Sequence, residues 1–274
     1  KALGAPLTGH QGQIAMLAVS PDGHTLASAS ADKTIILWDL KTRKALGPPL
    51  TGHELGVETV AFSPDGQILA SGGYGIILWD VKTRRSLLKI PTVDDHVTWS
   101  PDGQTLASGD SVPLKLFDVK ALRLINSFRS KSGLEAGTEV ACSPDGKMIA
   151  TSVPGGIQLW DPKTHQPLGP ALNGAPGFIY SLAFSPNGQI LAAGGDNIVL
   201  WDLKTRQPLG PPLEEQEDAS YSLAFSPDGS LLVSGGHNVT LWDLNTKKPL
   251  SFASPEEKLY GYTAFSPAGT LVVS

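Results

Sequence analysis

Apolar positions along the chain fall into short runs of four to six residues separated by turn signals, and the cleanest stretch lies between Val57 and Ile90. Val57-Glu58-Thr59-Val60-Ala61-Phe62 predicts a strand, and Ser63-Pro64-Asp65-Gly66 reverses it, since proline presets the first turn angle and glycine accepts the left-handed one. Gln67 to Ser71 predicts a second strand, Tyr74-Gly75 a tight hairpin, Ile76 to Asp80 a third strand, and Lys82-Thr83-Arg84 a turn into a fourth, Ser86 to Ile90. Four antiparallel strands that are partly apolar on both faces are not stable alone and must stack on neighbours.

The same pattern recurs about every 40 residues. Its turn stands at Ser20, Ser63, Ser100, Ser143, Ser185 (as SPNG), Ser226 and Ser266 (as SPAG). A Trp-Asp pair closes the third strand at Trp38-Asp39, Trp79-Asp80, Trp160-Asp161, Trp201-Asp202 and Trp242-Asp243, with Phe117-Asp118 in the third unit. A fixed period with several short strands in each unit reads as radially repeated four-stranded sheets within one body, residues 1–274.

Gly52-His53, Val60 to Gly66 and Ile77-Leu78-Trp79-Asp80 together resemble a WD40 repeat, and the resemblance covers nearly the whole chain. It implies an all-β fold, a seven-bladed β-propeller of four-stranded antiparallel blades, with the first strand of each blade lining a central channel. Lys1 to Leu7 repeats Lys44 to Leu50, so residues 1–7 are expected to be a fourth strand that closes the last blade. Six full repeats then occupy 8–259, and 260–274 supply the first two strands of an incomplete last blade. The repeat arithmetic leaves a third strand owed, about 10 to 16 residues beyond Ser274, unless that blade is three-stranded. The resemblance also implies a hydrogen-bonded set of His, Ser, Asp and Trp, which the first unit holds as His10, Ser28, Asp32 and Trp38. The later units lack one or more members. Four of them are expected to turn instead through two-residue hairpins at Tyr74-Gly75, Gly155-Gly156, Asp196-Asn197 and His237-Asn238.

Composition narrows the function. A net charge of −5 and a pI near 5.7 disfavour a nucleic-acid partner. A single cysteine excludes a disulfide framework and suits a reducing compartment, so cytoplasmic residence is expected. No apolar run reaches membrane-spanning length, so no membrane partner is expected. The chain contains no phosphate loop, CxxC, HExxH or calcium-loop spacing, so no cofactor, metal or catalytic residue is assigned, and the chain is read as no enzyme. Cys142 stands where other units have Phe62, Phe184 and Phe225, a core position.

Surface remains. Basic residues gather in the turns after Trp-Asp, and acidic ones (Glu54, Asp94, Asp95, Glu214 to Asp218, Glu256, Glu257) gather in the loops of the opposite face. Relatives bind partners at the channel mouth, and carrying that ring over gives Ala15, Glu58, Asp95, Thr138, Tyr180, Tyr221 and Gly261. Glu58 and Asp95 facing Tyr180 and Tyr221 suit a basic side chain flanked by apolar groups. The expected function is a monomeric interaction scaffold or docking domain of a larger, bacterial signalling-type protein that binds a protein or peptide. Two alternatives stand beside it. The tyrosines could cap the core under solvated acidic loops, or the propeller could carry or gate an enzymatic site at the mouth.

Overall fold

The computed structural model of the chain describes residues 5–92, 96–109, 114–119, 123–128, 139–164, 166–175, 177–213, 220–236, 238–250 and 262–273. Every regular element among them is a β-strand, and the strands pair antiparallel in sequential order within each unit, save that in blade 1 both Lys44–Ala45 and Leu50–Thr51 pair with Thr34–Asp39. Blade 2 is representative, with Thr59–Phe62, Ile68–Gly72, Ile76–Asp80 and Arg85–Ile90 running from the channel to the rim.

Among the described residues six blades form, not seven. The seventh sheet has two strands, Thr263–Phe265 and Leu271–Val273, so residues 262–273 make a hairpin rather than a blade. The physical reason is supply: no described third or fourth strand pairs with Leu271–Val273, and Ala5 to Leu7 form no strand there. Residues 1–4 of the expected closing strand lie outside the described residues. The hairpin nevertheless completes the circuit. Its strand Thr263–Phe265 packs against the inner strands of both blade 6, Ser222–Phe225, and blade 1, Ile14–Val19. Ala264 and Leu7 both join the core patch of Leu17, Leu26, Ile36 and Trp38 in blade 1.

The core lies between blades rather than inside any one of them. Ala27, Ala29, Ile35 and Leu37 of blade 1 meet Val60, Leu69, Ile77 and Trp79 of blade 2, and equivalent layers recur at the following seams. Second and third strands are therefore buried on both faces, as in Ile76–Asp80, where only the terminal aspartate is partly exposed.

The repeated turns are closed by their own side chains. In Ser63-Pro64-Asp65-Gly66 the Ser63 hydroxyl donates to Asp65 (2.6 Å) and accepts the Ile68 N–H (2.9 Å), while Asp65 also accepts the Gln67 N–H (3.0 Å). Gly66 adopts φ +71°, and a Cβ there would lie 3.5 Å from Pro21 of the preceding blade. Gly23 stands in the same relation to Pro267, which ties the hairpin to blade 1 on this face.

The basic turns are engaged too. Arg43, Arg84, Arg206 and Lys247 take positive φ between 55° and 60°. Each reaches back across the seam to a main-chain carbonyl of the preceding segment, namely Ala5, Leu46, Pro170 and Leu209. On this face the Ser-Pro-Asp-Gly carboxylates serve their own turns, while these four cations serve backbone.

The hairpins between second and third strands also differ from expectation. In blades 2, 5 and 6 the paired residues Gly72 and Ile76, Gly194 and Ile198, and Gly235 and Val239 leave three-residue loops. Blade 4 alone has a two-residue turn, Pro154-Gly155, with Gly155 at φ +79°.

Candidate functional site

Two constellations stand out, one internal to a blade and one at the channel. In blade 1 the Trp38 Nε1–H donates to Ser28 Oγ (2.8 Å), Ser28 Oγ is 2.8 Å from His10 Nε2, and His10 Nδ1 is 2.9 Å from Asp32. Asp32 also accepts the Gln11 N–H (2.9 Å), the Thr34 N–H (3.0 Å) and the Thr34 hydroxyl (2.6 Å). Burial would raise the Asp32 carboxyl, but the hydrogen bonds from Thr34, Gln11 and His10 outweigh it and hold the group well below the usual carboxylate range. No reacting group faces this set, and its chemistry is that of a clamp.

Blade 2 keeps more of the clamp than its sequence indicates. Trp79 donates to Ser71 (2.8 Å) and Ser71 meets His53 Nε2 (2.7 Å), while His53 Nδ1 lies 3.1 Å from the Gly73 carbonyl, which takes the place of an aspartate. Burial lowers the His53 pKa, as expected for an imidazole without a carboxylate. Blades 4 and 6 keep the last link, Trp160 to Thr151 (2.9 Å) and Trp242 to Ser234 (2.9 Å). In blade 5 the serine position is Ala193, and the fully buried Trp201 Nε1 has no partner among the described residues.

The channel is a cavity of about 540 Å³ whose polar lining is concentrated in Glu58, His96, Glu139, Tyr180, Tyr221 and Tyr262. Its geometry comes from the inner strands. Glu58, Tyr180 and Tyr221 each donate their N–H to the carbonyl of the glycine ending the second strand, Gly72, Gly194 and Gly235 (2.9, 2.8 and 2.8 Å). The same rung of three blades thus presents a carboxylate and two phenols. Tyr180 and Tyr221 lie with ring centroids 5.1 Å apart, and Phe178, 78% exposed, stacks on Tyr180 at 6.3 Å. An aromatic ladder therefore runs from open solvent into the channel.

Of the expected ring, Ala15, Glu58, Tyr180 and Tyr221 line the cavity. Asp95, Thr138 and Gly261 fall outside the described residues. So do Asp94, Glu214 to Asp218, Glu256 and Glu257, which leaves Glu54 as the described member of the acidic loops. Three lining residues were not anticipated: His96, Glu139 and Tyr262, each one position further along its strand than the ring supposed. His96 Nε2 and Glu139 Oε1 meet at 2.9 Å across the seam between blades 3 and 4. The Tyr262 hydroxyl is pushed up by burial first and then by the negative charge of Glu58 and Glu139, which places both carboxylates within its electrostatic reach. Residue type does not mark them out, because Thr59, Ser181 and Ser222 are also polar four positions before the turn serine.

Among the described residues no Lys or Arg lines the cavity. No group of His, Cys, Asp and Glu able to hold a metal occurs among the described residues, and no helix is long and apolar enough to cross a membrane. Burial pushes the Cys142 thiol up to about 12, as befits a core residue. A family model described as WD domain, G-beta repeat, matches residues 2–39, 46–80, 168–202 and 213–243, together just over half of the chain. The unmatched middle contains blade 3, whose third strand ends in Phe117 instead of tryptophan. No curated protein matches the chain.

Proposed function

Because the chain belongs to the WD40 repeat family, whose propellers are commonly non-catalytic protein-interaction scaffolds, we propose that it binds a protein or peptide segment at the channel mouth through a basic side chain. The observation that carries this reading is the lining itself. Glu58 and Glu139 supply negative charge, Tyr180, Tyr221 and Tyr262 supply aromatic surface, and among the described residues no lysine or arginine of the lining competes for either. A cation held over a ring face beside a carboxylate gains from both, and the gain grows as water is excluded. His96 already spends part of the Glu139 charge, so Glu58 is the principal anchor. Docking as a module of a larger cytoplasmic protein belongs to the same proposal, and the lone, buried Cys142 supports it.

The test is binding of lysine- and arginine-containing peptides to the whole chain, with Glu58→Gln and Tyr180→Ala beside it. Tenfold or greater loss for either variant is expected, about the effect of truncating an interface anchor. Unchanged affinity in both would remove the mouth from consideration.

A further inference from the structure

Beside Glu58, on the same face, blade 2 carries an exposed apolar knob whose backbone is held against its preference. Tyr74 is 61% exposed at φ +51°, a conformation disfavoured for a bulky side chain and readily taken by glycine or asparagine. Nothing in the fold requires an aromatic there. A positive φ is met by Gly155 (+79°) in the blade 4 turn and by Lys33 (+71°) in that of blade 1.

Leu55 is 51% exposed and stands just before Gly56 and Val57. A Cβ on Gly73 would lie 2.3 Å from the Gly56 carbonyl and 3.0 Å from Val57 Cα, so the Tyr74 hairpin rests directly on the segment that begins with Leu55. The Glu58 carboxylate leans back over the same segment, with its Oε1 3.3 Å from the position of a Cβ on Gly56. Leu55, Tyr74 and Glu58 therefore form one continuous surface, two apolar side chains leading to a carboxylate at the cavity edge. Strain retained at an exposed aromatic position points to use of that side chain in recognition.

We propose that Tyr74 and Leu55 form an apolar docking step for the same peptide whose basic side chain enters the channel. The ligand is then a segment with Lys or Arg separated by only a few residues from an apolar or aromatic one. The proposal rests on the channel-mouth reading and adds the second anchor and its side of the ring. Charge and apolar surface are adjacent here, so one extended segment can satisfy both without a turn.

The test uses a display library of random peptides selected on the whole chain, followed by fluorescence-polarisation titration of the selected peptides against Glu58→Gln, Tyr74→Gly, Leu55→Ser and, as a control on an outer strand, Leu250→Ser. Selected peptides should pair a cation with an apolar residue. Tyr74→Gly and Leu55→Ser should each weaken binding about five- to tenfold, Leu250→Ser should bind as the parent does, and the thermal midpoint of Tyr74→Gly should hold or rise. If Glu58→Gln weakens binding while Tyr74→Gly and Leu55→Ser do not, the docking step is overturned and the mouth reading stands. If no cation is enriched, or Glu58→Gln binds normally, the mouth reading falls and this proposal with it.

Discussion

Blades 1 and 5 bury the same tryptophan in opposite ways. Trp38 ends a relay of Ser28, His10 and Asp32, whereas Trp201 is more deeply buried and has an unpartnered Nε1. Blade 5 still shares its interblade layer with blade 4 through Leu159, Leu182, Leu191 and Val199. Packing of the indole is thus the common requirement, and the polar relay is an addition that the other blades keep in part. A net hydrogen bond contributes about 1 kcal/mol, while a buried indole contributes several times that through area alone.

The sharpest way to break the comparison is to remove the hub. Ser28→Ala strands both the Trp38 donor and the His10 nitrogen, so a loss of about 2 to 3 kcal/mol is expected in chemical denaturation. Next comes the matched pair Trp38→Phe and Trp201→Phe. Both lose ring area, but only the first leaves a buried hydroxyl without its donor, and it should cost about 1 kcal/mol more. Equal costs would show that the relay contributes nothing. The converse change, Ala193→Ser, places a hydroxyl where Ser71 and Ser234 sit in blades 2 and 6, paired two residues before the tryptophan in the same register. A gain of about 1 kcal/mol is expected from completing the Trp201 bond.

The acid limb supplies a smaller effect. Asp32 has a folded-state pKa below its ordinary value near 3.8. Its stabilisation is therefore fully present above that value and is lost as pH falls through the folded-state pKa. Thermal midpoints should stay level down to about pH 4 and then decline, and Asp32→Asn should show a shallower decline from a lower plateau. Asp228, held at about 2 chiefly by the hydroxyl of Ser226, titrates in the same direction and should persist in that variant as residual slope.

Smallest of all is Ser220, whose hydroxyl is buried without a partner among the described residues where blade 2 has Val57. Ser220→Ala should raise stability by a few tenths to about 1 kcal/mol.

The repeat, its turns and the blade 1 relay are legible in the sequence because each is written in side chains at fixed spacing. The blade count is not. Seven turn serines announce seven units, but a blade also needs outer strands, and residues 262–273 supply two. The His53 relay escapes because its last acceptor is the Gly73 carbonyl, which has no residue type to betray it. Glu58, Tyr180 and Tyr221 can be placed at the mouth by counting back from the turn. His96, Glu139 and Tyr262 cannot, since the residues one position earlier in their strands look equally suitable on paper. The reach of Arg43, Arg84, Arg206 and Lys247 depends on positive φ, which a basic residue after threonine does not advertise.

Those four cations give the ring a direction. Every one of them extends from a later unit to an earlier one, so a cut just before such a turn deprives the upstream neighbour of its fastening and leaves the downstream neighbour intact. Circular permutants opened on the two sides of the same blade should therefore differ in robustness, and a single excised repeat loses its anchorage even where its own sheet is complete.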